Sequence, residues 1–269
     1  MCSGPQAADY NAADLPRWMQ PGTITAHFQP IYRVNGSVMP PVAVESLARG
    51  TRAGAFGSPA VMFAVAREKG LVETLDCRCI RAAFEAAQSL SPDLDLFLNV
   101  HPRTLCLCSD FPAFLADEAA RSGIALTRIT LEVLEHARVA DRQCCQLHAS
   151  LEVLRDLGVR VAVDDVGAEP EEARRLLLFR PHYLKLDAGL VRRARAYTRD
   201  RALLHAICEF GRDMGAEVIV EGIERPCDLA LVAAADAAMA QGYMLCPPLP
   251  ADELMQRGKS ITLGQMAEA

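Results

Sequence analysis

The chain has 269 residues, of which 51% are hydrophobic and 23% are charged, and its formal net charge is −6 at pH 7. This composition excludes a disordered chain and allows a large apolar core. The acidic balance does not favour a protein that binds DNA or RNA duplexes, and no apolar run reaches the roughly 18 residues of a membrane span. Residues 1–22 lack the apolar segment of a secretory signal. We therefore expect an N-terminal leader at 1–22 and a cytoplasmic protein.

Short runs of apolar and β-branched residues alternate with longer amphipathic stretches from residue 24 onward. The short runs predict strands at 24–32, 41–48, 95–100, 128–134, 159–165, 181–187, 216–221 and 238–244. The amphipathic stretches predict helices at 59–69, 73–90, 110–122, 141–157, 170–179, 189–214, 226–236 and 251–257. Within 141–157, for example, Leu147, Leu151 and Leu154 fall on one helical face.

This alternation predicts a parallel sheet, because parallel strands need long crossover connections. Eight strands in about 245 residues favour a closed (β/α)8 TIM-like barrel over an open sheet, and the Gly-x-Gly-x-x-Gly loop of a dinucleotide-binding sheet is missing. The first two strands differ, since only a short turn with the hairpin signal Asn35-Gly36 joins them. We predict an α/β barrel domain over residues 23–269, with a first strand antiparallel to the second.

The cysteines give no evidence of a metal module. There are ten of them, spaced as Cys-x-Cys and Cys-Cys, without the paired Cys-x-x-Cys of a zinc site. We predict reduced and mostly buried thiols.

Polar residues stand where most of the predicted strands end. They are Glu45, Asn99, Glu132, Asp164 with Asp165, Lys185, Glu221 and Gln241. For any single one of them, a structural explanation (a solvated strand end or an ion pair) is as good as a functional one. In a barrel, however, the carboxyl ends of the strands meet at one rim. Carboxylates crowded at that rim need cations, and oxygen ligands suit Mg²⁺, Mn²⁺ or Ca²⁺.

Eight short motifs occur in an order that resembles the EAL domain family of cyclic di-GMP phosphodiesterases, over residues 24–256. The segment 44–49 (VESLAR) is similar to the signature E-A-L-x-R, with Ser in place of Ala. The other matching segments are 28–32 (FQPIY), 98–100 (LNV), 131–135 (LEVLE), 163–167 (VDDVG), 184–187 (LKLD), 220–224 (VEGIE) and 241–243 (QGY). Each motif alone is weak, but eight in order are specific.

The resemblance implies a role for each matching residue. It implies hydrolysis of cyclic di-GMP to the linear dinucleotide pGpG with Mg²⁺ or Mn²⁺, and it allows a homodimer. The implied metal ligands are Glu45, Asn99, Glu132, Asp164 and Asp165. The implied catalytic residues are Glu221, as general base or as a residue that helps hold the metal-water network, Lys185 positioning a water, and Glu135 anchoring the loop after Asp165. The implied substrate-binding residues are Gln29 in the ligand groove, Arg49 at a phosphate and Gln241 at a site water.

Three segments depart from the family pattern. The loop at 167–173 (GAEPEEA) lacks the usual G-T-G-Y-S-S-L continuation, 246–248 (CPP) replaces G-R-P, and Arg67 stands where relatives usually carry Glu. Two interpretations therefore stay open beside the more remote one of another metal-dependent barrel hydrolase. One is a working phosphodiesterase, because every metal ligand is present. The other is a degenerate EAL module that binds cyclic di-GMP or a protein partner without useful turnover.

Overall fold

The computed structural model describes residues 22–34, 38–51, 58–133, 141–166, 179–257 and 261–262. Three expectations lie outside these ranges, apart from their outermost residues: the leader at 1–22, the turn at Asn35-Gly36 and the helix predicted at 170–179.

Eight strands form a closed barrel, in the order in which they occur along the chain. They are β1 (Ile24–Arg33), β3 (Pro41–Gly50), β4 (Asp95–Val100), β5 (Ile129–Val133), β6 (Arg160–Val166), β7 (Tyr183–Leu186), β8 (Glu217–Val220) and β9 (Met239–Ala240). β1 runs antiparallel to both of its neighbours, β3 and β9, and the other neighbouring pairs are parallel. The predicted barrel with an antiparallel first strand is confirmed. A small second sheet was not predicted, in which β2 (Val38–Met39) pairs with β10 (Ile261–Thr262).

Helices cover the outside of the barrel. They are α1 (Pro59–Lys69), α2 (Val72–Ala87), α3 (Pro102–Leu107), α4 (Phe111–Ser122), α5 (Asp141–Asp156), α6 (Ala188–Ala196), α7 (Thr198–Asp213), α8 (Pro226–Ala234) and α9 (Ala251–Gln256). In α5 the predicted face is confirmed, since Leu147, Leu151 and Leu154 are completely buried. These leucines belong to the large core between helices and barrel.

Two predicted elements need correction, and one helix was not predicted. The helix predicted at 189–214 is two helices, because Tyr197 has an extended backbone (φ −117°, ψ 125°). The short helix α3 was missed; His101 caps it and Pro102 occupies its first turn. The strand predicted at 238–244 ends at Ala240, since the chain turns at Gly242, where a Cβ would lie 2.2 Å from the backbone nitrogen of Ile223.

The cysteines are less buried than predicted. Those in the described part of the chain are free thiols. Cys208 and Cys246 are buried, whereas Cys145 and Cys227 are exposed. Among the helices that the structure describes, none combines the length and the apolar character that crossing a membrane requires.

A layer of apolar side chains fills the middle of the barrel, one from nearly every strand. The layer consists of Ile31, Ala43, Phe97, Ala162, Tyr183, Ile219 and Met239. On β5 the residue opposite Phe97 is Thr130, which is also completely buried. The rings of Phe97 and Tyr183 lie 5.1 Å apart between centroids. The barrel interior is therefore a packed core and not a pore, as is usual for this architecture.

This layer sets the stability of the barrel. We predict that Phe97→Ala lowers the free energy of unfolding by about 3–5 kcal/mol, because it removes a completely buried ring and leaves a cavity among fixed strands. Urea unfolding followed by circular dichroism measures the loss. Leu203→Ala on α7 is the matched control, since that side chain is 41% exposed and should cost less than about 1 kcal/mol. Equal losses in the two variants would contradict the packed interior.

Candidate active site

Each strand of the barrel places one polar side chain two residues beyond the apolar layer, at the same rim. These eight side chains, called the polar ring below, are Gln29, Glu45, Asn99, Glu132, Asp164, Lys185, Glu221 and Gln241. Side chains two residues apart on a strand share a face, so the residue that follows an inward apolar residue by two also points inward. On β1 the ring residue precedes its apolar partner, because that strand is antiparallel. The structure thus brings together residues spread over more than 200 positions of sequence.

The ammonium group of Lys185 lies at the centre of the ring. Its Nζ is 2.7 Å from Glu221 Oε1 and 2.8 Å from Glu132 Oε2. It is 3.1 Å from Glu45 Oε2 and 3.8 Å from Asp164 Oδ1. The Lys185 side chain is only 1% exposed and that of Glu132 is completely buried. One lysine therefore bridges carboxylates from four different strands.

Amide side chains hold the carboxylate of Glu45. Asn99 Nδ2 donates to Glu45 Oε1 at 3.0 Å, and Gln241 Nε2 donates to Glu45 Oε2 at 2.9 Å. Gln241 Nε2 also donates to Gln29 Oε1 at 3.2 Å, and Gln29 Nε2 donates to the carbonyl oxygen of Cys246 at 3.0 Å. The sequence offered no signal for this last contact, since a backbone carbonyl carries no side-chain identity.

The charges divide the carboxylates into two kinds. Burial opposes ionisation of Glu45, but the charge of Lys185 and the hydrogen bonds from Asn99 and Gln241 outweigh it and lower its pKa. Burial and the neighbouring Glu45 raise the pKa of Glu132 well above its usual range. Burial also raises the pKa of Glu221, to about 7, although Lys185 opposes the shift.

Lys185 itself remains charged. Burial would lower the pKa of its ammonium group, but Glu132, Glu221 and Glu45 outweigh that effect and raise the pKa well above the usual value. For Glu132 and Glu221, in contrast, burial and the neighbouring acids raise the pKa more than Lys185 lowers it. Full ionisation of the carboxylates in the ring is therefore unfavourable unless further cations bind beside them.

The ring offers oxygen ligands for such a cation. Glu132 Oε1 is buried and has no hydrogen-bond partner among the described residues. Within the described ranges no three His, Cys, Asp or Glu side chains form a ready-made metal cluster. The carboxylates of the ring are instead paired with Lys185, and the predicted ligand Asn99 is not one of these four residue types. Still, the carboxylate and amide oxygens, with an orphaned oxygen on Glu132, fit Mg²⁺ or Mn²⁺.

The remaining predicted residues lie at the edge of the ring or outside the described residues. Arg49 lies on β3 beyond Glu45 and donates to the carbonyl of Ala48 at 2.9 Å. Asp165 belongs to β6, but its side chain is outside the described part, as are Glu135 and the loop at 167–173.

A cavity of about 310 Å³ opens beside Glu45 and Asn99, and its wall includes Phe63, Arg67 and His101. It lies between β3, β4 and the helices α1 and α2. Sequence reasoning had not identified this cavity, although it had noted Arg67 as a departure from the family.

The family model that matches this chain is that of the EAL domain, and the match covers residues 12–248. The chain belongs to the EAL domain family. The motifs that suggested this family lie on the barrel strands or directly after them, and between them they supply the whole polar ring.

Several known proteins are similar to this chain over most of its length. The cyclic di-GMP phosphodiesterase NbdA of Pseudomonas aeruginosa is 28% identical over 247 residues, which are 88% of this chain and 30% of that protein. An EAL domain protein from Listeria monocytogenes has a similar structure, with a TM-score of 0.79 and 18% identity over 93% of this chain and 98% of that one. BlrP1 of Klebsiella pneumoniae, solved as a complex with manganese and cyclic di-GMP, has a TM-score of 0.75 and 25% identity, over 86% of this chain and 57% of that one.

Many of the curated relatives are much longer proteins. The chain spans between 24% and 46% of the length of the first three that it matches. What those proteins do as a whole is therefore not carried over by the EAL domain alone.

The central lysine supports a prediction about stability. We predict that Lys185→Met lowers the free energy of unfolding by about 3–5 kcal/mol at pH 8, because it leaves buried carboxylates without their cation. The loss should be smaller at pH 5. The pKa of Glu132 and that of Glu221 are raised in the folded state, so the folded protein binds protons more tightly than the unfolded chain and gains stability as the pH falls.

Urea unfolding at both pH values measures this effect. Lys69→Met is the matched control, because Lys69 is an exposed lysine at the end of α1. An equal loss of stability at pH 5 and pH 8 would show that the carboxylates do not depend on Lys185.

Proposed function

We propose that this EAL domain is a metal-dependent phosphodiesterase that hydrolyses cyclic di-GMP to the linear dinucleotide pGpG. The observation that carries the proposal is the polar ring, with four carboxylates around Lys185 and a buried oxygen on Glu132 that has no hydrogen-bond partner in the described part of the chain. Support also comes from NbdA, which is named as a cyclic di-GMP phosphodiesterase, and from BlrP1, which binds manganese and cyclic di-GMP. The decisive experiment incubates the purified protein with Mg²⁺ or Mn²⁺ and cyclic di-GMP, and detects pGpG by chromatography.

Oxygen ligands on neighbouring strands would hold the cations. Glu45, Asn99, Glu132 and Asp164 are the proposed ligands, together with Asp165. Bound Mg²⁺ or Mn²⁺ would neutralise the anionic phosphodiester and lower the pKa of an attacking water. The protein supplies the geometry, since each ligand comes from a rigid strand and the rotamer of Glu45 is held by hydrogen bonds from Asn99 and Gln241.

Glu221 is the proposed general base. Its pKa is raised to about 7 by burial, so it can take up a proton near neutral pH. Lys185 holds Oε1 of Glu221 at 2.7 Å, and Oε2 would accept the proton of the attacking water. The buried Gln241 Oε1, which has no partner among the described residues, is placed to accept a hydrogen bond from a site water.

The alternative is a module that binds cyclic di-GMP without useful turnover. The altered segment at 167–173 favours it, because Asp165 lies directly before that segment and two-metal chemistry needs its ligands placed to within a fraction of an Å. Isothermal titration with cyclic di-GMP, run beside the turnover assay, separates the two functions. Binding without pGpG formation would favour the module, and absence of both would remove cyclic di-GMP as the ligand.

The proposed metal site makes Asp164 essential. We predict that Asp164→Asn abolishes pGpG formation and weakens Mn²⁺ binding while the fold stays intact, because an amide oxygen carries no negative charge. Manganese titration and circular dichroism measure the two properties. Asp236→Asn is the matched control, since Asp236 lies at the opposite end of the barrel with its side chain 81% exposed. Normal Mn²⁺ binding in Asp164→Asn would remove this residue from the site.

The general base should affect the chemical step more than binding. We predict that Glu221→Gln lowers kcat by about 100-fold or more with little change in cyclic di-GMP affinity. Glu217→Gln serves as the control, because Glu217 begins the strand that Glu221 follows and lies at the other end of the barrel, where it pairs with Arg33 at 2.7 Å. An unchanged kcat in Glu221→Gln would exclude it as the base.

A further inference from the structure

Glu221, the proposed general base, lies just beyond the end of its strand. β8 ends at Val220, although Glu221 N still donates to Leu186 O at 3.1 Å. The next residue, Gly222, has a φ of 67°, so the backbone leaves the extended conformation there. The strand therefore fixes the backbone on one side of Glu221 only, and the loop at 222–225 must fix the other side.

Asp228, in the first turn of α8, holds this loop by its backbone. Its side chain is completely buried. Its Oδ2 accepts hydrogen bonds from the N–H groups of Glu224 and Arg225, each at 2.9 Å. Burial opposes ionisation of Asp228, but the hydrogen bonds from Arg195 and from these two N–H groups outweigh it and lower its pKa. A buried carboxylate that stays ionised needs a cation beside it.

Arg195 supplies that cation from the last turn of α6. Its Nε donates to Asp228 Oδ1 at 2.7 Å, and its Nη2 donates to Asp228 Oδ2 at 2.8 Å. This is the paired geometry in which an arginine binds a carboxylate most strongly. The same Nη2 donates to Glu224 Oε2 at 3.2 Å. One guanidinium group thus joins α6 to α8 and to the loop between β8 and α8.

The helix α6 is itself attached to the strand that carries Lys185. It begins directly after β7, where the side chain of Asp187 caps its first turn. The beginning of α6 also touches the loop, because a Cβ at Gly222 would lie 2.1 Å from the Cβ of Ala188. With Arg195 at its other end, α6 therefore relates the position of the loop at 222–225 to that of β7.

The contact between Glu221 and Lys185 depends on this relation. Glu221 Oε1 lies 2.7 Å from Lys185 Nζ, one group after β8 and the other on β7. Without Arg195, Asp228 would be a buried charge without a cation, and it would take up a proton or become exposed to water. The loop would then lose its attachment to the end of α6. Displacements of about 1 Å in a catalytic group can cost on the order of 100-fold in rate.

We propose that Arg195 is a positioning residue, which acts through Asp228 and the loop at 222–225 to hold Glu221 against Lys185. This inference rests on the proposed function, in which Glu221 is the general base. It assigns Arg195 an effect on the chemical step. An ion pair that only joins two helices would instead affect stability alone.

The kinetic constants of Arg195→Met test this role. We predict that the variant lowers kcat about 10–100-fold and leaves the KM for cyclic di-GMP within about threefold, because Glu221 is displaced while the proposed ligand contacts stay. Arg81→Met is the matched control. Arg81 on α2 pairs at 2.7 Å with Glu118 on α4, an acid that is likewise buried with 4% of its side chain exposed. The control should lose stability in urea and keep both kinetic constants.

Two results with Arg195→Met would overturn the proposal. A native kcat despite a loss of stability would make the ion pair purely structural, and a tenfold rise in KM at unchanged kcat would mean a ligand contact. If Arg195→Met does not fold, Arg195→Lys takes its place. Lysine keeps the charge but cannot form the two parallel bonds, so kcat should still fall by about threefold or more. A native kcat in that variant would likewise contradict the positioning role.

Hydrogen exchange follows the loop without any turnover. We expect the amides of Glu224 and Arg225 to exchange about tenfold faster or more in Arg195→Met than in the native protein, because the acceptor of their hydrogen bonds is no longer held. The same amides should keep their native rates in Arg81→Met. Native exchange rates in Arg195→Met would show that Arg195 does not hold the loop and would overturn the proposal.

A double-mutant cycle connects the loop to Glu221. The effect of Glu221→Gln on the unfolding equilibrium constant should differ by about threefold or more between the native and the Arg195→Met backgrounds, and it should be the same in the native and the Arg81→Met backgrounds. Equal effects in all three backgrounds would overturn the proposal. If the native protein forms no pGpG, the proposed function fails, while the exchange rates and this cycle still decide whether Arg195 holds Glu221 in place.

Discussion

The buried ammonium group of Lys185 links β7 to four other strands at the mouth of the barrel. Glu132, Asp164 and Glu221 come from strands near it in the barrel order, whereas Glu45 comes from β3 on the opposite side. A lysine that is 1% exposed cannot stay charged without such partners, and carboxylates buried to this degree cannot stay ionised without a cation. The ammonium group and the carboxylates therefore depend on each other for their charge, and the arrangement of side chains at the rim depends on both.

One lysine does not complete the balance of charge. The four carboxylates around Lys185 and its ammonium group carry a formal charge of minus three when all are ionised. Burial, together with this excess of negative charge, raises the pKa of Glu132 and that of Glu221. On the proposed function, an anionic phosphodiester would be repelled by the ring alone. The proposed function therefore requires cations to bind before, or together with, the substrate.

The barrel and the ring were predictable because both follow from the period of a strand. Polar residues such as Glu45 and Lys185 were recognisable at the ends of short apolar runs. Because the ends of barrel strands meet at one rim, that pattern predicted a site. The antiparallel first strand was predictable from Asn35-Gly36. The division of the helix predicted at 189–214 could not be predicted in this way. The break at Tyr197 contains no Gly or Pro, and the amphipathic pattern continues through it.

Contacts made by the backbone were equally invisible in the sequence. The carbonyl of Cys246 orients Gln29, yet every residue has a carbonyl, so nothing in the residue type marks this one. The central place of Lys185 was also underestimated. The sequence showed a lone lysine among acids. Its contact with Glu45 on the opposite side, however, depends on how the strands close into a barrel.

The arrangement of charge around the ring follows from the same constraint. The ring residues of β1, β4 and β9 are the amides Gln29, Asn99 and Gln241, while the acids lie on β3, β5, β6 and after β8. Further acids in place of the amides would raise the negative charge without adding a cation. Amides instead donate hydrogen bonds to Glu45 at no cost in charge. The pKa of Glu45 is accordingly lowered, whereas that of Glu132, which receives no amide, is raised. The amides thus keep the carboxylate of Glu45 ionised and oriented, and the remaining acids of the ring are the ones that the proposed function assigns to the cations.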